Sequence, residues 1–259
     1  MQNTRASSRI SAACVSDSGL VRAANEDSYL IDLDQALFIV SDGMGGHQAG
    51  EVASQAVVKV LSDLLQQRLQ ALVSSNNRLI ELVIREVVLE FNRSLRNETA
   101  GKLGLQGMGA TLVLAWIRQK QAIAHLANMG DSRIYLLRRR KLVQLTEDHT
   151  IAAFLLKHGV ITPAQAQGHP GQHKLSRYIG MEGEVYPDVQ SIHMHAGDRL
   201  LLCSDGLTNM LSDDQVQQIL TSDPPGTSQV PQVACQALVQ SANQAGGTDN
   251  ITAMLVDFL

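Results

Sequence analysis

The chain has 259 residues, 44% of them hydrophobic and 18% charged, with a net charge of -4, ample for one large core and ordinary for a globular domain. That balance excludes an electrostatic footprint for nucleic acid or acidic membranes, and aromatics at 3% leave few platforms for stacked bases. Cys14, Cys203 and Cys235 are odd in number and lack CxxC spacing, so neither a disulfide framework nor a zinc site is expected, and a reducing, cytoplasmic setting fits.

Residues 1–9 read as loose. The N-terminus has no apolar signal region, and no later apolar stretch reaches the ~18 residues needed to span a bilayer. Residues 10–18 and 28–33 have short strand patterns, and between them Arg22, Glu26 and Asp27 crowd into what reads, taken alone, as a solvated hairpin turn. The apolar run 37–40 (LFIV) is strand-like and stops at Ser41-Asp42, followed by glycines at 43, 45, 46 and 50. Asp42 is thus expected on a strand-to-helix corner, where its carboxylate and the uncovered carbonyl of Gly43 can serve one hard cation. A glycine turn before a helix can also cradle phosphate, but GxxxxGK[ST] is absent. A tight turn alone would explain the glycines and not the aspartate.

Helical spacing of apolar residues begins at Glu51 and again over 76–96, with a polar loop over 97–107. Strands follow at 110–117, 122–128, 133–137 and 141–145, and their short connections predict antiparallel neighbours and argue against a doubly wound sheet. Several strands (LFIV, ATLVLAWI, LLLC, ITAMLV) are apolar almost without interruption, which requires cover on both faces. The expected fold class is therefore α+β, a four-layer sandwich with two packed antiparallel sheets between helix layers (α/β/β/α). Residues 149–158 read as a helix, followed by a Gly-, Gln- and His-rich surface excursion with a short helix at Pro163. His169, His173, His193 and His195 have no Cys or acidic partner at ligand spacing and read as solvated. Strands at 185–193 and 199–203, a helix at 212–220 capped by Ser212, a helix at 229–244 and a strand at 250–258 complete one domain spanning 1–259.

Three further aspartates resemble Asp42 in setting: Asp205 in LLLCSDG, Asp249 in GGTDNI and Asp131 in NMGDSR, expected in a turn between antiparallel strands. Carboxylates gathered at one sheet edge raise each other's pKa unless cations neutralise them. An all-oxygen set selects Mg2+ or Mn2+ over zinc, and two such ions ~4 Å apart are a recurrent device for in-line displacement at phosphorus.

In this order and spacing, RxxxNED, VSDGMGGHxxGE, GMGATL, ANMGDSR, LTEDHT, LSRYIG, LLCSDGL and GGTDNIT resemble the bacterial metal-dependent type 2C protein serine/threonine phosphatases, over about residues 10–258. The resemblance implies hydrolysis of phosphoserine and phosphothreonine by a metal-bridging water at a binuclear Mn/Mg centre, with a third, weaker ion. It implies that Asp42 bridges the metals, that the Gly43 carbonyl ligates one, and that Asp205 and Asp249 complete the other's shell. Glu26 and Asp27 would hold metal-bound waters, Asp131 the third ion, and Arg22 the substrate phosphate, for which a guanidinium fork is suited. His47 matches the bacterial motif and is the candidate general acid, with tying down the glycine turn as its alternative. Residues 151–176 lie where the family has its variable flap. Expected partners are phosphorylated proteins, a Ser/Thr kinase and its targets among them, with no nucleic acid or membrane and the enzyme a monomer. Two other readings remain at this stage: a catalytically dead binding module, against which the intact Asp42, Asp205, Asp249 and Arg22 argue, and a hydrolase of small phosphate esters.

Overall fold

The computed structural model describes residues 10–45, 48–100, 107–222 and 230–259. Its elements are β1 (Ile10–Asp17), β2 (Asp27–Asp32), β3 (Leu37–Met44), α1 (Gln48–Ala56), α2 (Ser62–Leu69), α3 (Asn77–Thr99), β4 (Gly109–Ala110), β5 (Leu112–Arg118), β6 (Ile123–Met129), β7 (Arg133–Arg138) and β8 (Lys141–Gln144). They continue with α4 (Ile151–Lys157), α5 (Pro163–Ala166), β9 (Asp188–His193), β10 (Asp198–Cys203), α6 (Asp205–Thr208), α7 (Asp213–Leu220), α8 (Pro231–Gln244) and β11 (Ile251–Phe258). A π-helical turn, Val57–Leu61, joins α1 to α2.

Two antiparallel sheets form, one ordered β1-β11-β10-β7-β8 and the other β2-β3-β5-β6-β9, with β4 paired to β3. Strand parity explains the uninterrupted apolar runs. On β3, Leu37 and Ile39 pack under the first helices, whereas Phe38 and Val40 fill the core between the sheets. On β10, Leu201 packs under the last helices while Leu200 and Leu202 face the opposite sheet. On β11, Leu255 and Val256 divide in the same way. Both faces of each sheet are therefore buried, and the expected four layers are borne out.

Helix starts follow local chemistry: Asn76 caps α3, Thr150 caps α4, and Thr162 and Ser212 each close a capping box on a glutamine three residues on. Two expectations need correction. β3 runs through Met44 and α1 already begins at Gln48, so Asp42 lies inside the strand and Gly50 inside the helix. Gly43 and Gly50 let the strand and helix touch: a Cβ on Gly43 would fall 2.1 Å from the Gly50 carbonyl oxygen.

The second correction concerns partners. β1 and β2 are not a hairpin, and β6 and β7 are not neighbours; in each pair the two strands belong to opposite sheets. A connection of a few residues forces antiparallel pairing only when both strands stay in one sheet. Here β6 pairs with β5 and β9, and β7 with β10 and β8. Gly130, at φ 121°, makes the crossing, with Asp131 directly after it.

Candidate active site

The parity that builds the inter-sheet core also builds the site. Following each stripe of inter-sheet residues to one end of the sandwich, apolar side chains give way to polar ones. Ala12 and Cys14 lead to Ser16, Val40 to Asp42, Ile31 back to Asp27, Val113 back to Thr111, Leu126 to Asn128, Leu202 to Ser204, and Met254 back to Thr252. The crossing loops add Arg22, Glu26 and Asp131 at the same end.

Arg22, Glu26, Asp42, Gly43, Asp131, Asp205 and Asp249 line one cavity of about 440 Å³. Asp27 stands opposite Asp42 across the β2–β3 ladder, an arrangement of like charges that is unfavourable in the absence of a cation. Its Oδ2 accepts from Ser204 Oγ at 2.7 Å and from Thr252 Oγ1 at 2.6 Å, which ties β2 to the opposite sheet. Its Oδ1 is buried without a hydrogen-bond partner, and so is Oδ1 of Asp205.

Burial pushes the Asp42 carboxyl well above the usual range, and Asp27, Asp205, Asp131 and Asp249 add to it electrostatically. Burial likewise raises Asp27 to about 7 and, helped by Asp205 and Asp148, Asp131 to about 8. Asp205 is raised by burial and then by Asp249. Arg22, 55% exposed at its side chain, donates to Asp249 Oδ2 at 2.7 Å.

Such a cluster costs free energy unless a cation neutralises it. The donors are all oxygen, and two of them are buried with no partner, so the set fits hard divalent cations. Among the described residues no three acidic, His or Cys side chains close into a finished cage.

Three comparisons bear on this geometry. The family model described as protein phosphatase 2C matches residues 21–255. The chain belongs to the protein phosphatase 2C family. Its similarity to the serine/threonine phosphatase Stp of Listeria monocytogenes is 39% identity over 244 residues, covering 93% of each chain. The Streptococcus agalactiae serine/threonine phosphatase superposes with a TM-score of 0.83 at 30% identity, over 96% of this chain and 100% of that one. The catalytic domain of the serine/threonine protein phosphatase PstP, solved in complex with two manganese ions, superposes with a TM-score of 0.78 at 33% identity, over 96% and 97% of the two chains. The expected phosphoprotein phosphatase, a hydrolase of the 2C family, is thereby borne out.

Of the residues expected at the site of this 2C-family enzyme, eight are brought to one end of the sandwich, while His47 lies outside the described residues, as do residues 1–9. Residues overlooked in the sequence reading hold the site in place. Thr111 accepts from the Asp42 N–H through Oγ1 at 2.9 Å, and its own N–H donates to the Asp42 carbonyl at 2.8 Å. Its hydroxyl also pairs with Ser132 beside Asp131. Asn250 takes the Glu26 N–H on Oδ1 at 2.8 Å and donates to the carbonyls of Ser18 and Ala24. The available signal was a hydroxyl or amide interrupting an otherwise apolar strand stripe. His173, read as solvated, is exposed and yet lines the cavity.

The turn carrying Asp131 is clamped from outside. His149 accepts the Gly130 N–H on Nδ1 at 3.1 Å, and its own N–H donates to the Gly130 carbonyl at 2.8 Å. Arg133 forks onto both oxygens of Asp148. These contacts assign LTEDHT its structural work in the phosphatase. No helix among the described residues is long and apolar enough to cross a membrane.

Proposed function

We propose that this serine/threonine phosphatase hydrolyses phosphoserine and phosphothreonine esters of proteins at a centre of two Mn2+ or Mg2+ ions, with a third ion held more weakly. The observation that carries the reading is the pair of buried, unpartnered carboxylate oxygens, Asp27 Oδ1 and Asp205 Oδ1. They belong to a cluster with Glu26, Asp42, Asp131 and Asp249 that is energetically incomplete without positive charge.

Asp42, Asp205, Asp249 and the Gly43 carbonyl would hold the two ions, with Glu26 and Asp27 supporting their waters and Asp131 holding the third. Bound there, the cations would neutralise the cluster and lower the pKa of a coordinated water, the chemistry that makes a nucleophile available at neutral pH. The protein's part is to place and hold. Arg22 directs its remaining guanidinium N–H groups at the phosphate oxygens while Asp249 keeps the fork oriented. Residues 151–176 act as a flap beside the cavity, since Leu175 and His173 from that segment stand in its wall. His47 is the candidate proton donor to the leaving oxygen.

The substrates are phosphorylated proteins, a Ser/Thr kinase and its targets among them, met by a monomeric enzyme in the cytoplasm. The three free cysteines support a reducing compartment. The test is hydrolysis of a phosphothreonine peptide and of para-nitrophenyl phosphate with Mn2+ and with a chelator. Arg22→Ala should lower kcat/KM by ~10²-fold, the scale of a charge-assisted contact to a reacting group. Turnover that survives chelation, or an unchanged kcat/KM, contradicts the assignment. Hydrolysis of the small ester alone would favour a small phosphate ester as substrate.

A further inference from the structure

Among the described residues lining the acidic cavity, only Arg22 and His173 carry basic side chains. They reach it from different elements, Arg22 from the β1–β2 crossing and His173 from the excursion after α4. His173 is exposed and shares the lining of the cavity with Asp205.

The position of His173 is built rather than incidental. Gly171 and Lys174, on either side of Gln172-His173, serve the first turn of α4: the Ala152 N–H donates to the Gly171 carbonyl at 3.1 Å and the Ile151 N–H to the Lys174 carbonyl at 2.8 Å. These are N–H groups that a helix start leaves without an intrahelical acceptor. Gly171 has no room for a side chain, since a Cβ there would fall 2.9 Å from Ile151 Cβ. The same helix start is joined to the active site, because Thr150 caps it and His149, the residue before, clamps Gly130 next to Asp131. The His173 backbone is thus coupled to a site carboxylate through a short series of hydrogen bonds.

The chemistry of the cavity calls for such a group. A phosphoester dianion must be received among several carboxylates, and Arg22 spends one donor on Asp249. Thr111 and Asn250 spend their hydrogen bonds on backbone and on Ser132, and the Tyr178 ring is pressed against Gly109. An imidazole carries an N–H donor in its neutral form as well as its charged one.

We propose that His173 is a substrate contact of this phosphatase, its imidazole N–H hydrogen-bonding the phosphoryl group of a bound phosphopeptide from the flap side while Arg22 holds it from the β1–β2 side. The assignment rests on the phosphatase reading above, and its test separates the two. His173→Ala and His173→Gln are compared with wild type in hydrolysis of a phosphothreonine peptide. The same three proteins, loaded with Mn2+, are titrated calorimetrically with inorganic phosphate. Loss of one hydrogen bond to an anion should weaken phosphate affinity and raise the peptide KM by about tenfold, with kcat less affected. Glutamine, which keeps a donor, should recover part of both. Because the side chain is exposed, the melting temperature should stay within about 1 °C of wild type. Unchanged phosphate affinity and unchanged KM in the alanine variant would overturn the assignment. A wild type that hydrolyses nothing would overturn the phosphatase reading, while the phosphate titration would still decide for or against His173.

Discussion

Asn250 offers the most direct test of how the site is held. The residue is 6% exposed, and its amide makes three hydrogen bonds, to the carbonyls of Ser18 and Ala24 and from the Glu26 N–H, at 3.0, 2.8 and 2.8 Å. Both ends of the β1–β2 crossing, the segment that presents Arg22 and Glu26, are thereby fastened to the start of β11. Asn250→Ala deletes all three bonds. At ~1 kcal/mol net for each, the loss is about 3 kcal/mol. In a chain of this size that corresponds to a fall in melting temperature of roughly 6–12 °C. The assay is thermal unfolding with a chelator present, so that cation binding cannot mask the change. It is paired with para-nitrophenyl phosphate kinetics in Mn2+, in which KM should rise as Arg22 loses its fixed position. A chelated variant melting within about 1 °C of wild type would refute the view that these bonds carry the loop.

Asp42→Asn should abolish most turnover and yet stabilise the chelated protein near pH 7.5, because it removes a buried carboxylate held far above its usual pKa; a destabilised chelated variant would count against the charge-strain account. The pH dependence has a definite sign. Asp27 and Asp131 are raised to about 7 and about 8 in the folded state, so their contribution to stability is present below the ordinary carboxylate pKa of ~4 and is lost as pH rises through those values. Melting temperatures in chelator should therefore climb as pH falls from 8 towards 6, while saturating Mn2+ flattens that slope; parallel profiles would contradict it. Shortening the segment between α4 and Arg177 should impair phosphothreonine peptide hydrolysis more than para-nitrophenyl phosphate hydrolysis, and equal losses would show that the segment supports the metal site instead.

Much of this protein is determined by local sequence. The nearly continuous apolar runs within β3, β5, β10 and β11 already demand cover on both faces, because side chains alternate and successive apolar residues fall on both sides of the sheet. The caps Asn76, Thr150 and Ser212 mark helix starts by their own hydrogen-bonding chemistry. The strand-adjacent aspartates were recognisable because a carboxylate at the end of a buried strand has no apolar rationale. What the tertiary structure alone decided is which strands share a sheet. The chain between Met129 and Arg133 is equally short whether it turns back within a sheet or crosses to the other. Burial of Ile134 and Leu136 in the same inter-sheet core as Phe38 and Val113 goes with the crossing. That choice brings Asp131 into one cavity with Asp205, and the corresponding crossing from β1 to β2 brings Asp27 onto Ser204 and Thr252. The placement of His173 was likewise hidden, since it depends on Gly171 and Lys174 meeting the start of α4 some twenty residues away, a contact with no local periodicity to announce it.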